Sequence, residues 1–478
     1  MTPKRRIAVI GAGISGLTTA YRLQEYGCDV EVFEARNHPG GRIGSSRRQG
    51  YLLEHGPHTI LQRNRATHDL IDDLGLRPEV TVANEDANRR YVVRDGRPLP
   101  IPMSFDGFLQ SDLLSSRAKL RLLGEPFIRP RNDDVDETLA SFVERRFGPE
   151  LLDYAFSPFV GGIYAGSPHR LSVRHGFRRL WELEQSGGSV SGGAVLKRLI
   201  VDRFFGADEG DDVERDLFSF KGGAGRLVER LTESLGERMH TGAAVESLHK
   251  VPGAGIWTLD GEGAAGEDRP PFDDVVWTGP TYRLSDLSID GKPIGDTDAG
   301  EVLDEVYYPP VSVVAMGFDA DRVEHPLDGF GVLVPEVEPY DILGCLFVST
   351  LFPGRAPDGQ ALLSTFVGGA RRPELAKAPD EELVDVVRDD LEDLIGLSGQ
   401  PEFVDITRWP RAIPQYEVGY GRVFAAANTL EEKYSGLHLG GNFRDGIAVP
   451  DLIETATDRA QHLATRPPRF HTPLGRTA

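Results

Sequence analysis

Cysteine is almost absent from this chain: only Cys28 and Cys345 occur in 478 residues. Two isolated cysteines build neither a disulfide framework nor a cysteine-rich metal site, and they suit a reducing compartment. Lysine is scarce too, eight against 45 arginines, and the twelve histidines are scattered without ligand spacing, so no metal site is expected. No apolar run is long enough to cross a bilayer as a helix. Met1 to Arg6 leads straight into the apolar run Ile7-Ala8-Val9-Ile10, so no signal or transit peptide is expected and the expected location is cytoplasmic.

Positive charge is also in deficit. A net charge of −21 argues against nucleic acid as a partner. It fits either an acidic surface suited to a salty cytoplasm or arginine-rich coding with ordinary acidity. The deficit is uneven: residues 89–205 hold 18 Lys+Arg against 14 Asp+Glu, while the rest hold 35 against 60. A basic segment in an acidic protein points to something anionic nearby, a substrate or a membrane surface. At this length two or three domains are expected, and no internal repeat is visible.

What is present is sharpest at the start. Ile7–Ile10 reads as a buried strand and Gly11-Ala12-Gly13-Ile14-Ser15-Gly16 as a tight turn. Leu17, Ala20 and Leu23 have helical spacing, Gly27 ends that helix, and Asp29–Glu34 is a second strand. A lone G-x-G-x-x-G is weak evidence, but between a strand and a helix it has the context that dinucleotide binding needs. Gly11 permits the turn, Gly13 lets backbone N–H groups approach a pyrophosphate at the helix N-terminus, and Gly16 lets helix and strand pack closely. Glu34 ends the second strand, where its carboxylate can accept from both ribose hydroxyls. Gly40-Gly41-Arg42 follows, with two more glycines for close approach and a guanidinium for phosphate. A nicotinamide-only enzyme does not need this second element, so the expected cofactor is FAD.

Downstream, helices are expected at Ser115–Leu123, Thr138–Phe147, Pro149–Phe159 and Val195–Phe204, and an acidic loop begins at Gly206. Strands are expected at Ala243–Leu248, Ile256–Leu259 and Asp274–Trp277, with Gly261–Asp268 as a hairpin loop. Val311–Phe318, Gly331–Val334, Gly344–Ser349 and Ala361–Val367 alternate well enough for an antiparallel sheet. The chain closes with a strand at Leu437–Gly440, a glycine-marked turn and a helix from Pro450 to about Leu463. The proline-bearing tail beyond it is expected to fray.

The double glycine motif resembles that of the FAD-dependent amine-oxidase superfamily. Phe220–Leu227 introduces a helix as in that superfamily, and Val245 lies where its members set a valine backbone against adenine. The stretch Gly440-Gly441-Asn442-Phe443-Arg444-Asp445-Gly446-Ile447-Ala448-Val449-Pro450-Asp451 reads as a strand end, a loop and a helix start. Backbone N–H groups there can stabilise negative charge on the pyrimidine side of a reduced flavin. It contains no cysteine, so the FAD is expected to be non-covalent, one per chain. The cofactor set implied by these matches is Gly11, Ala12, Gly13, Ile14, Ser15, Gly16, Glu34, Ala35, Gly40, Gly41, Arg42, Gly56, Pro57, His58, Val245, Trp409, Gly441, Asn442, Gly446, Ile447 and Val449. Gly56-Pro57-His58-Thr59 departs slightly from the superfamily's usual Gly-Pro-Asn-Ser.

Further stretches are similar to the protoporphyrinogen oxidase family: Arg408–Tyr416, Gly162–Gly166 with Leu171-Ser172, Gly329–Pro335, Thr365–Gly369 and Arg89–Gly96. The resemblance spans Ile7 to about Leu463 in order. It implies that Arg90 holds a substrate propionate, that Gly162 makes backbone contact beside the reacting ring, and that Leu333, Leu346 and Phe366 sandwich the macrocycle. The implied reaction removes six electrons from a porphyrinogen in three rounds at flavin N5, with oxygen as reoxidant and no catalytic side chain beyond the flavin. Taken without the resemblance, the three apolar residues are ordinary core and Arg90 an ordinary solvated arginine. The glycine-rich Gln185–Gly193 departs from the basic, bulkier residues usual in the family.

The implied fold class is α/β and α+β: a Rossmann-like FAD-binding domain assembled from separated segments (1–88, 206–291 and 425–465), an antiparallel-sheet substrate domain (292–424), a mostly helical, net-basic insertion (89–205) and a tail (466–478). Candidate partners are a porphyrinogen, molecular oxygen, an anionic membrane surface and a second copy of the chain. Protoporphyrinogen and coproporphyrinogen both fit, the latter favouring further bases such as Arg170, Arg174, Arg178 and Arg179 at the cavity rim. The rivals are an amine oxidase, for which lysines near the flavin are in short supply, a carotenoid desaturase, which has no use for Arg90, and a flavin-binding protein without turnover.

Overall fold

The computed structural model describes residues 4–466 except 62, 88, 103–106, 108–109, 132–134, 187–216 and 265–268. The expected helix Val195–Phe204, most of the glycine-rich segment, the loop from Gly206 and the tail beyond Arg466 therefore lie outside the described residues.

Five parallel strands form the first sheet, in the order Met239–Thr241, Asp29–Glu34, Arg6–Ile10, Asp274–Trp277, Leu437–Leu439. They come from well-separated stretches of chain, so this is a dinucleotide-type sheet assembled from distant segments. Its strands read as continuous apolar runs because both faces are covered. Ile7, Val9, Val30 and Val32 pack on one side with Leu17, Ala20 and Leu23 of helix Ile14–Glu25 and with Ile453 and Ala460 of helix Val449–Ala464. Ala8, Ile10, Phe33 and Trp277 pack on the other, with Val423, Ala427 and Leu430 of helix Gly421–Lys433. Burying each large aliphatic side chain contributes about 1.5–3 kcal/mol, so this double-sided core holds the glycine turn rigidly.

The second sheet has seven strands, in the order Phe403–Trp409, Val311–Asp319, Gln360–Gly368, Ile342–Phe347, Gly329–Leu333, Arg89–Arg94, Arg97–Pro100. All neighbours are antiparallel except Gly329–Leu333 with Arg89–Arg94, which run parallel. One face is closed by helix Asp380–Ile395, whose Leu383, Val387, Leu391 and Leu394 lie at one-turn spacing against Val314, Met316, Leu363 and Phe347. Three carboxylates in the first turn of that helix, Asp380, Glu381 and Glu382, complement its dipole.

The expected helical insertion is corrected at its start. Residues 89–100 are a hairpin of the large sheet, turned at Asp95 and Gly96 with φ of 51° and 72°. Tyr91 and Val93 face the core beneath helix Asp380–Ile395, which decides the strand, while the arginines on either side mask the alternation. Beyond the hairpin the described residues are mainly helical. Ser115 and Thr138 cap helices Ser116–Gly124 and Leu139–Arg146 by accepting from Ala118 N at 3.2 Å and Ser141 N at 3.1 Å. Arg146, fully buried, is held by Glu125 and by Glu184. The strand expected at Ala243–Leu248 forms only over Ser247–Lys250, because Ala243 N instead donates to Glu34 O at 2.8 Å and ties the chain to the first sheet.

Candidate active site

At the end of the first strand Gly11 has φ 102°, a conformation open to glycine, and its N–H donates to Phe33 O at 2.8 Å. A Cβ on Gly16 would stand 1.9 Å from Gly11 O, so the helix can approach the strand only with glycine there. At Gly13 the same test meets nothing within 4 Å: the turn has space on its outer side. Helix Ile14–Glu25 starts at Gly13 without a side-chain cap, leaving the N–H groups of its first turn for another partner. The hydroxyl of Ser15, beside buried Ala12 and Ile14, has no hydrogen-bond partner within the protein.

Glu34 is fixed by the turn it serves, accepting from Ala12 N at 2.8 Å and, across Ala35, from Arg36 N at 3.0 Å. The second glycine element abuts the first, because Gly40 N donates to Ala12 O at 2.8 Å and Gly41 lies against Gly13. Arg42 is largely buried, which lowers its pKa. Its guanidinium lies 4.6 Å from the Trp409 ring, and its nitrogens donate to the carbonyls of Arg411 and Ala412. Burying a cation among carbonyls and a ring is costly until an anion joins it. Open space at Gly13, an uncapped helix, the Ser15 hydroxyl and Arg42 together suit a diphosphate.

The remaining cofactor candidates come from other segments. Trp409 Nε1 donates to His55 O at 2.6 Å, next to Gly56-Pro57-His58. His58 faces Gly56 O through Nδ1 at 3.1 Å, and burial drops its pKa to about 4, so it is neutral at physiological pH. Val245, partly buried, packs against the core cluster that includes Phe33 and Leu248. Gly441 N donates to Asp445 Oδ2 at 2.7 Å, and Arg459 holds the same carboxylate at 2.6 Å. Gly446 and Ile447 then lead into helix Val449–Ala464, which also lacks a side-chain cap.

The large sheet supplies the second wall. Its helix-covered face takes Tyr91, Val332, Phe347, Leu363 and Val367, so period-two alternation turns Arg90, Leu333, Leu346 and Phe366 to the opposite face. The register lines them up: Arg90 stands beside Gly331 and Gly331 beside Leu346, while Leu333 stands beside Gly344 and Gly344 beside Phe366. These two rows run side by side, and from Arg90 to Phe366 is about three strand spacings, or roughly 14 Å. The intervening glycines sit in close contact: a Cβ on Gly331 would stand 2.2 Å from Cys345 O, and one on Gly344 2.7 Å from Val332 O. Gly162, on helix Ser157–Tyr164, closes down on this face: a Cβ there would come within 2.5 Å of Leu333 Cδ2. Phe366 meets His58 edge to face at 5.6 Å, joining the sheet face to the dinucleotide cleft. Arg90 stacks over Phe330 at 5.3 Å, and burial pushes its pKa down to about 10, still charged at neutral pH.

Of the rim arginines, Arg170 pairs with Glu417 and Arg178 with Glu182, while Arg174 lies over Trp181. Three site residues escape sequence reasoning. Thr278 Oγ1 donates to Ile10 O and Gly11 O at 3.1 and 3.0 Å, bracing the first turn. Tyr416 and Tyr420 donate to the carbonyls of Asn442 and Phe443. Thr278 and Tyr420 carry no cue in their sequence neighbourhood, and the Arg408–Tyr416 stretch that ends on Tyr416 does not reveal its grip on Asn442.

The family described as flavin containing amine oxidoreductase matches residues 14–464. Protoporphyrinogen oxidase 2 of Arabidopsis thaliana, chloroplastic/mitochondrial, is 34% identical over 95% of this chain and 93% of its own length. Coproporphyrinogen III oxidase of Bacillus subtilis is 26% identical over 94% of this chain and 96% of its own. A solved structure from Exiguobacterium sp. 255-15, provisionally described as a protoporphyrinogen oxidase, superposes with a TM-score of 0.79 at 25% identity, covering 97% of this chain and 99% of that one.

Proposed function

The chain belongs to the flavin containing amine oxidoreductase family, and from that premise we propose that it oxidises a porphyrinogen to a porphyrin in haem biosynthesis, using non-covalent FAD, one per chain, with oxygen as the final acceptor. The observation that carries this reading is the sheet face: Leu333, Leu346 and Phe366 form a broad apolar wall, Arg90 stands at one end of it, and Phe366 adjoins the flavin cleft at the other. A flat apolar ring system bearing carboxylates fits that wall, with the ring over the leucines and one propionate at the guanidinium.

Bound FAD would supply a two-electron acceptor: three rounds together take three hydrides from meso carbons and release three protons, two from pyrrole N–H groups and one from the fourth meso carbon, and each round reduces one oxygen molecule to hydrogen peroxide. The protein's share is placement and exclusion of water. Gly11, Gly13, Gly16, Ser15 and Arg42 hold the diphosphate, and Glu34 holds the ribose. Gly162 lets helix Ser157–Tyr164 descend into contact with Leu333, closing the site beside the macrocycle. Phe366 fixes the distance between the ring and the cofactor. In this reading segments 1–88, 206–291 and 425–465 act as the cofactor unit and 292–424 as the substrate unit, extended by the hairpin 89–100.

A side-by-side fluorescence assay of porphyrin formation from protoporphyrinogen and coproporphyrinogen tests the function and names the substrate. Absence of turnover with both, in flavin-loaded protein, refutes it. We also propose peripheral contact with an anionic membrane. Among the described residues no helix is long and apolar enough to cross a membrane, but Phe127 and Leu120 are 87% and 70% exposed on the net-basic segment near Arg117 and Arg129. Such a pairing of apolar and basic groups suits a leaflet surface. Flotation with anionic liposomes at low salt should recover the protein, and its failure to float removes this claim.

A further inference from the structure

The stretch Pro414-Gln415-Tyr416 is bonded to both halves of the site. On the substrate side, Gln415 Nε2 donates to Tyr164 O at 2.8 Å, at the end of the helix that carries Gly162, and Ser172 N donates to Tyr416 O at 2.8 Å. On the cofactor side, the Tyr416 hydroxyl donates to Asn442 O at 2.6 Å and accepts from Gly446 N at 3.1 Å. One phenol oxygen therefore closes the loop between these two residues, which leads into helix Val449–Ala464. Tyr420 repeats the grip four residues later, donating to Phe443 O at 2.8 Å. The two rings stack with centroids 4.4 Å apart and planes at 24°, and Phe424 meets both edge-on. Both tyrosines are buried, 6% and 4% exposed, and burial raises both phenols above their ordinary pKa, so they remain donors.

We propose that Tyr416 is a positioning residue for the oxidation: it fixes the Gly441–Gly446 loop, and with it the uncapped start of helix Val449–Ala464, against the pyrimidine edge of the flavin while keying that loop to the substrate helix. This rests on the flavin reading of the preceding subsection. Asp445, Arg459 and Arg444 hold the Gly441–Asp445 part of the loop, and Tyr416 holds its Gly446 end. Gly446 N has the Tyr416 oxygen as its partner, and without that bond the N–H is free to turn away from the cleft. Because partial positive charge at a helix start favours an anionic reduced flavin over the neutral oxidised one, a displaced loop weakens binding of the reduced form more than the oxidised form. A residue that merely packs would change stability and leave that ratio alone.

The test uses Tyr416→Phe in the full-length holoenzyme, removing one oxygen and keeping the stacked ring. The readouts are FAD content, the dissociation constant for FAD and the midpoint potential of the bound flavin. A second variant, Tyr420→Phe, loses the grip on Phe443 but not on Gly446. The expected result for Tyr416→Phe is a hold on reduced relative to oxidised flavin weakened by about tenfold, which for a two-electron couple is a potential about 30 mV more negative. Tyr420→Phe should shift it in the same direction by less, and it stands as the test should Tyr416→Phe fail to fold. A wild-type potential in Tyr416→Phe, whether or not its thermal midpoint falls, overturns the proposal. A wild-type protein that takes up no FAD at all would instead defeat the cofactor reading on which it rests.

Discussion

Replacing Arg90 with alanine should raise KM for the porphyrinogen by about 10- to 150-fold while leaving flavin content unchanged. Arg90 sits on the sheet face with Leu333 and Leu346, and burial lowers its pKa to about 10, so it keeps its charge through the neutral range. A hydrogen bond between a charged guanidinium and a carboxylate contributes about 1.5–3 kcal/mol, and each 1.4 kcal/mol is tenfold in affinity. The propionate lies far from the reacting carbon, so it is bound alike in ground and transition states, and the loss falls on KM rather than kcat. Arg90→Lys should recover part of the affinity, because an ammonium cannot reproduce the planar fork. The assay is initial-rate porphyrin fluorescence over a range of substrate, with flavin absorbance measured on the same samples. An unchanged KM for both porphyrinogens would refute the propionate assignment.

Phe366→Ala should lower kcat as well as affinity, since removing the ring loosens the macrocycle where it adjoins the flavin cleft; steady-state kinetics separates the two effects. Gly16→Ala should leave protein with little bound flavin, because the new Cβ would stand 1.9 Å from a backbone carbonyl and force helix and strand apart; the flavin-to-protein absorbance ratio reads this. Leu391→Ala, under the large sheet and away from the cleft, should cost about 2–5 kcal/mol of stability with kcat and KM retained, as denaturant melts and kinetics will show. His58 is held neutral in the fold, with a pKa of about 4 against an ordinary 6.5, so the unfolded chain takes up a proton first as pH falls. Its effect is nil above pH 6.5 and grows to a destabilisation of about 3 kcal/mol as pH drops to 4. His58→Asn should therefore flatten the fall in thermal midpoint between pH 6.5 and 4 relative to wild type.

The first strand–turn–helix–strand unit is legible because its physics is local. Gly11 and Gly16 are required by backbone geometry within that unit, and Glu34 closes it by accepting from Ala12 N. The antiparallel alternation of 311–367 is legible for the same reason, and it correctly puts Leu333 and Phe366 on strands. The hairpin 89–100 is hidden because Arg89, Arg90, Arg94 and Arg97 interrupt the apolar pattern: Arg89 pairs with Asp328, Arg94 with Glu150, and Arg90 lies over Phe330, leaving only Tyr91 and Val93 to show a buried face. The alignment of Arg90, Leu346 and Phe366 on one face depends on a parallel pairing between strands far apart in the chain, which no periodicity reveals. Thr278 and Tyr416 are further still from local cues, since a hydroxyl that braces a distant loop looks like any other threonine or tyrosine.

The central claim is that this flavin oxidises a porphyrinogen, and the most direct measurement is anaerobic mixing of the flavin-loaded protein with protoporphyrinogen or coproporphyrinogen under diode-array detection. The account predicts bleaching of the oxidised flavin band on addition of at least one of the two, and its return when air is admitted, with porphyrin fluorescence growing through the ensuing turnovers. A flavin band that persists under excess of both substrates, in protein whose flavin is reduced by dithionite and reoxidised by air, would contradict it.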